Sequence, residues 1–348
     1  MKNLIIFLLA VSCTFPVQAT VRTVSNYVPL PAQYTDINTA IAASSPDDTV
    51  YVHGSPSAYN VYVSINKRIT LIGAGINPKT DFPFTTVIME VDIYPGGSGS
   101  TISSLATGAI QSPGGSMSDT LVNYTIRSCQ VYGSGFTIPK SYINMLVENC
   151  VFTDVINGLG ANWPAPVQTG LVIRNCFFSN TNISVTSNTV VDHCIFAGGN
   201  TSVHAFFGSS NSVFSNNIFY GRNLSSSDAT NCVFNNNLTY LCANNTLPAG
   251  TNSGTGNIIG TDPAFVSYAA SPTNFSYSHN YRLTATSPGH NAATDGTDLG
   301  VYGNGFLFSM TGECPAMPVV RKLDIYNTTV PFNGTLDIRY KSSVTVRD

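Results

Sequence analysis

Charge is scarce in this chain. Across 348 residues, Asp, Glu, Lys and Arg together make up 9%, against roughly a quarter in an ordinary soluble protein. The net charge is −3 and no run of Lys or Arg occurs, which excludes the basic footprint of a nucleic-acid-binding protein. Beyond residue 19 no apolar run reaches the roughly 18 residues that a membrane helix needs. No CxxC pair and no His/Cys cluster has metal-ligand spacing. Hydrophobic residues nevertheless reach 43%, which excludes a disordered chain. The polar share comes instead from Asn, Ser and Thr, alongside 29 Gly. Uncharged polar residues suit parallel strands stacked in register, because like charges placed directly over one another repel.

What is present is a repeat. Val147-Glu148-Asn149-Cys150-Val151-Phe152, Ile173-Arg174-Asn175-Cys176-Phe177-Phe178 and Val191-Asp192-His193-Cys194-Ile195-Phe196 are versions of one hexapeptide. A degenerate copy, Ile126-Arg127-Ser128-Cys129-Gln130-Val131, precedes them; Phe214-Ser215-Asn216-Asn217-Ile218-Phe219 and the shorter Asn231-Cys232-Val233-Phe234 follow. A short strand pattern returning every 20 residues or so, with loops of unequal length between, is the signature of a solenoid. In this register Ile126, Val147, Ile173, Val191 and Phe214 point inward and the Cys position turns inward at a bend. Phe152, Phe178, Phe196, Phe219 and Phe234 are expected to form an aromatic stack on the next strand. Weaker coils are expected around Thr86–Ile93 and Thr101–Leu105, separated by Gly96-Gly97-Ser98-Gly99.

Residues 1–19 read as a secretory signal, with Lys2, the apolar stretch Leu4–Val11 and a small-residue cleavage site at Val17-Gln18-Ala19. Cys13, after Ala10-Val11-Ser12, offers lipidation as the alternative. The expectation is a secreted or cell-surface protein. Seven cysteines follow Ala19. Four of them, Cys129, Cys150, Cys176 and Cys194, share one repeat position, so they read as a buried column of small hydrophobes rather than a disulfide framework. Cys242 with Cys314 is the one pair open to a disulfide.

The opening of the chain carries a resemblance. Tyr34–Ala43 places Ile37, Ala40 and Ile41 on one helical face behind a possible N-cap, Asp36, and Asp47–Val52 and Val61–Gly73 then supply strands. Gly256–Val266, Tyr281-Arg282-Leu283, Ser287-Pro288-Gly289 and Asp298–Gly303 look like the elements that close many secreted members of the same group. Over about residues 30–305 the chain resembles right-handed parallel β-helix proteins of the pectate-lyase-like superfamily. The expected organisation is a signal at 1–19, an all-β right-handed parallel β-helix at 20–305 with an N-terminal helical cap, and a C-terminal cap or attachment hairpin at 306–348. The hairpin is read from alternating Val319–Tyr326 and Thr335–Tyr340 around Asn333-Gly334.

Candidate functional residues come from stacking the repeats. One residue after the inward aliphatic stand Arg127, Glu148, Arg174, Asp192 and Ser215, alternating in sign up one face. In β-helix enzymes, to which the resemblance points, such a strip binds or cleaves sugars, and a lyase would add Ca²⁺. The alternation instead fits a surface ion-pair ladder that fixes register, because a Ca²⁺ site wants clustered carboxylates. The next column, Ser128, Asn149, Asn175, His193 and Asn216, reads as an amide ladder with His193 beside Asp192. The other histidines, His53, His204, His279 and His290, show no partner at motif spacing. Trp163, the single tryptophan, stands in the longest insertion as a possible sugar platform. Asp295-Gly296-Thr297-Asp298 lacks the spacing of a Ca²⁺ loop and reads as a turn. The functional expectation is a glycan-contacting binding protein, with a polysaccharide lyase or glycoside hydrolase as the competing class and a structural surface spacer as the third. No cofactor is expected outside the lyase case, and the expected partner is a polysaccharide or surface glycan.

Overall fold

A computed structural model describes residues 19–77, 84–113, 119–137, 141–153, 159–160, 167–184, 186–268, 274–305, 308–312, 319–325 and 338–343. The signal segment with Cys13, the insertion with Trp163, and Cys314 lie outside the described residues. The chain winds as a right-handed parallel β-helix, the hand that parallel crossovers take. Ten short strands, from Val21–Val24 through Thr125–Arg127, Leu146–Glu148, Leu171–Arg174 and Thr189–Asp192 to Val233–Asn235, stack in sequence order as a first parallel sheet. A second sheet of thirteen strands starts at Tyr59–Ile65 and forks after Gln130–Thr137, one arm running from Val151–Thr153 to Ile258–Ile259 and the other from Leu159–Gly160 to Phe206–Phe207, so that it supplies two sides of the coils up to that strand.

The corner between the sheets explains the Asn-Cys motif. Ser128, Asn149, Asn175, His193, Asn216 and Asn236 all have positive φ, between 49 and 59°. Asn tolerates this left-handed conformation better than other residues with a side chain, so the column is selected for backbone shape. The next residue then turns inward. Cys129, Cys150, Cys176 and Cys194 are buried and free, as expected. Each donates its Sγ–H toward the carbonyl two residues back and approaches one in the coil before: for Cys150, Glu148 O at 3.3 Å and Ile126 O at 3.7 Å.

At Asn217 this column changes from thiol to amide. Asn217 Nδ2 donates to Val191 O at 3.0 Å, and Asn237 Nδ2 donates to Phe214 O at 2.9 Å. The side chain of Asn237 also accepts from Asn217 Nδ2 at 3.0 Å, and Asn257 repeats the pattern one coil on. The amide ladder therefore stands one residue later than the sequence reading placed it, because the left-handed residue itself points away from the core.

The aromatic stack is present but shorter than expected. Phe152–Phe178, Phe178–Phe196 and Phe196–Phe219 stack at 4.6–5.0 Å between ring centroids. Phe234 belongs to the other sheet, where it pairs with Phe214 in register and stacks on it at 5.0 Å, while Thr239 follows Phe219. The rung after Phe214–Phe219 is thus Phe234–Thr239. Cys232 sits at the preceding corner, with its thiol toward Thr230 O and Ser209 O.

The ends are closed as the solenoid demands. Helix Ile37–Ala43 buries Ile37, Ala40 and Ile41, and its N-cap Asp36 accepts from Thr39 N at 2.7 Å. Asn38 binds Tyr62 O and Ser64 N, covering the exposed edge strand Tyr59–Ile65, which would otherwise invite pairing with another chain. After Ile258–Ile259, Phe265–Ser267 and Asn280–Leu283 pair antiparallel. Residues 281–305 and 308–312 then return along the flank as a strap, burying Tyr281, Leu299, Val301 and Phe308 against outward Phe177, Ile195 and Ile218. Val319–Ile325 pairs antiparallel with Ile338–Ser343 as the expected hairpin; its Asn333-Gly334 turn lies outside the described residues. No helix among the described residues is long and apolar enough to cross a membrane.

The amide ladder yields a stability prediction. Asn237→Ala strands the Phe214 carbonyl and removes the amide acceptor of Asn217, so it should cost about 2 kcal/mol. A denaturant midpoint unchanged from wild type would show that the ladder contributes nothing.

Candidate functional site

The charge column is assembled in the expected register, with Arg127, Glu148, Arg174, Asp192 and Ser215 on successive strands. Its environment differs from an open surface ladder. Glu148 is 2% exposed and lies between two guanidinium groups: Arg174 Nη2 at 2.7 Å and Nε at 3.0 Å from Oε2, and Arg127 Nε at 3.4 Å from Oε1. Asp192 accepts from Ser215 Oγ at 2.7 Å and Asn216 Nδ2 at 2.8 Å, and its other oxygen meets His193 Nδ1 at 2.8 Å.

His193 is 1% exposed because the strap lies over it. Thr297 Oγ1 is 3.3 Å and Asp295 Oδ1 3.7 Å from its Nε2. Neighbouring members of the same column hold the strap as well. Asn175 Nδ2 donates to Val301 O and Gly303 O, both at 3.0 Å; Asn216 exchanges bonds with Thr294; Asn236 Nδ2 donates to Ala292 O. Gly303 passes so close that a Cβ there would fall 2.2 Å from the His193 ring. The left-handed column is a row of strap anchors, and Asp295–Asp298 is part of what it grips. Trp163 lies outside the described residues. The sequence reading also missed two His–Asp pairs, His204 with Asp228 and His290 with Asp298, whose partners are 24 and 8 residues away.

A second face was missed entirely. On the bent side of the second sheet, Ser64, Asp92, Gln111, Thr137, Gly160, Ser184 and Phe207 occupy one outward column, paired strand to strand. Glu90 stands two residues before Asp92, opposite Tyr62. Gln111 donates its amide to Glu90, whereas Asp92, 8% exposed, keeps a buried Oδ1 with no partner among the described residues. Burial first, and then the neighbouring Asp92, push the Glu90 carboxyl above its ordinary pKa, while the Gln111 amide opposes the shift. Beside this pair three side chains are open to solvent: Tyr62 is 58% exposed, Met89 41% and Tyr132 37%. The register slips at this bend in two coils, between Tyr59 and Tyr62 and between Val131 and Gly135, with Gly133 and Gly135 at positive φ, while the strands between them pair without a slip. Such bulges re-aim side chains outward. A cavity of about 380 Å³ lined by Asn38, Ser64, Asn66 and Lys67 borders the Ser64 end of the column.

The signal was present in Val-Ile-Met-Glu-Val-Asp-Ile, where Glu90 and Asp92 share a face by period-2 alternation. These coils lack the Asn-Cys marker, so the repeat alignment does not reach them. The two carboxylates do not suit Ca²⁺, which takes six to eight oxygens, and no group of three His, Cys, Asp or Glu side chains gathers among the described residues.

No family model and no curated protein sequence matches this chain. A solved structure does: that of pectate lyase Pel9A, with a TM-score of 0.50 and 12% sequence identity, over 83% of this chain and 97% of that one. The chain has the pectate-lyase-like β-helix fold. At this identity the likeness speaks for architecture, and function rests on the faces just described.

Two predictions follow from the charge column. Glu148→Gln should cost about 2 kcal/mol, less than breaking a fully buried pair, because both arginines are partly exposed and can rehydrate. An open surface ladder would have predicted at most about 1 kcal/mol, so equilibrium unfolding separates the two. The second concerns pH. Burial raises the Asp192 carboxyl, but His193, Ser215 and Asn216 outweigh it and hold the pKa low; Asp295 is held low against desolvation by Thr297 and His193. Carboxyls depressed in the folded state lend stability above the ordinary carboxylate range and lose it as pH falls through their folded values. Amide protection factors, corrected for the intrinsic exchange rate, should therefore fall first in residues 281–305 as pH drops from about 4 toward 2, and Asp192→Asn should flatten that dependence.

Proposed function

We propose that this is an exported β-helix protein that binds polysaccharide along the bent outer face of its second sheet. The observation that carries the reading is the exposure of Tyr62 and Tyr132 beside Glu90, Asp92 and Gln111 on strands fixed by the solenoid. Tyrosine offers an apolar ring face and a polar tip, which suits the CH-rich face and hydroxyl edge of a pyranose. Carboxylate and amide oxygens accept from sugar hydroxyls, and the Gln amide can donate back. A site on sheet strands is held more rigidly than one on loops, so little ordering is needed on binding. The signal-like residues 1–19 and the pectate-lyase-like fold support export and a polysaccharide ligand.

The charge column is assigned a structural role. Glu148 is enclosed by two arginines and His193 is sealed beneath the strap, so neither presents a free group to a substrate. The competing catalytic reading draws on Glu90, whose raised pKa beside a second carboxylate is the pattern of a general acid.

Affinity electrophoresis through a panel of soluble polysaccharides tests the proposal. Wild type should be retarded by at least one of them, and Tyr62→Ala and Tyr132→Ala should each weaken binding about fivefold or more with unchanged circular dichroism. The same mixtures should yield no unsaturated products absorbing in the ultraviolet and no new reducing ends. Turnover abolished by Glu90→Gln would replace the binding reading with an enzymatic one, and absence of retardation by any glycan would leave the spacer.

A further inference from the structure

Resting on the glycan-binding reading, we infer that the ligand is a neutral polysaccharide lying along the solenoid axis, and not a polyuronate. Along the column the charged side chains are acidic, and the one lysine at its Ser64 end, Lys67, has its ammonium held by Ala42 O and Ser44 O. From Ser64 the outward column passes through Asp92 and Gln111 to Thr137, Gly160 and Ser184, and ends on Phe207, which is 51% exposed. Successive members stand about 4.8 Å apart, close to the length of one sugar residue, so an extended glycan on this column meets one rung per sugar.

A polyuronate would bring a carboxylate at nearly every step. Opposite Glu90 and Asp92 these charges repel, and binding them requires cations. The solenoid's described cations are engaged elsewhere. Arg22 is paired with Asp48, and Arg68 with Asp47. Arg127 and Arg174 hold Glu148. Lys67 caps the helix through Ala42 O and Ser44 O, and Arg222 is buried against Thr181 O and His204 O. Arg282 lies over the Tyr302 ring at 4.4 Å. Glu90 and Gln111 are instead matched to hydroxyl donors: both are only partly covered, and the Glu90 carboxylate and the Gln111 carbonyl oxygen left free by its amide bond to Glu90 can each accept from a sugar O–H.

The experiment compares polygalacturonate with its fully methyl-esterified form, which shares the backbone and differs in charge, and adds neutral galactan, arabinan, glucomannan and xyloglucan. Dissociation constants are measured on the full-length protein at low and high salt. The expected result is that at least one neutral polymer binds tenfold or more tighter than polygalacturonate, with little salt dependence. Glu90→Gln/Asp92→Asn should narrow that gap by weakening the neutral ligand and improving the acidic one. Polygalacturonate bound as tightly as any neutral polymer overturns the inference while leaving the glycan-binding reading intact. No binding to any member of the panel overturns the glycan-binding reading itself.

Discussion

Every residue of a coil must tolerate its own counterpart about 4.8 Å above and below it, and this repetition governs the molecule. A side chain is acceptable only if a stack of similar side chains is acceptable. Small thiols pass that test, and so do amides that bond to one another and phenyl rings that lie parallel. Like charges fail it, so the chain is poor in charge and Glu148 is tolerated only with an arginine on each side. The switch from Cys194 to Asn217 within one column shows that two chemistries solve the same problem. Both put a donor beside the carbonyl of the coil before.

The corner imposes a second constraint, which the strap exploits. A left-handed residue turns the chain and directs its own side chain away from the core, leaving a row of polar groups on the flank. In an open solenoid those groups would face water. Here they reach the backbone of residues 292–303, and the apolar outer face at Phe177, Ile195 and Ile218 is buried beneath the same segment. Return of the chain over its own flank converts a polar column into an interior seam, with His193 and Asp192 fastening its centre.

What the strap leaves uncovered is the other flank, where the second sheet bends. Tyr62, Met89 and Tyr132 stand outward there beside the Glu90–Asp92 pair, with Tyr132 carried on a bulged segment. Like-charge crowding of Glu90 and Asp92 is unfavourable for the fold, and surfaces that carry such a local cost are where binding functions concentrate.

The rung is legible in the amino-acid sequence alone. The recurring Asn-Cys-x-Phe segments, the helical cap and the poverty of charge were enough for a parallel β-helix, for a buried thiol column at Cys129, Cys150, Cys176 and Cys194, and for the register of Arg127, Glu148, Arg174 and Asp192. These are local or strictly periodic properties, and a periodic fold writes them into the chain at every turn. The sequence could not tell that Phe234 belongs to the first sheet, because Asn231-Cys232-Val233-Phe234 imitates the motif at a different corner. Tertiary structure alone decided which columns lie open. The strap that buries His193 and holds Asn175 comes from more than 100 residues downstream, and the face with Tyr62, Glu90, Asp92 and Tyr132 comes from separate coils that no motif marks. Exposure depends on what packs against a face, and here that partner is distant in the chain and outside the period of the repeat.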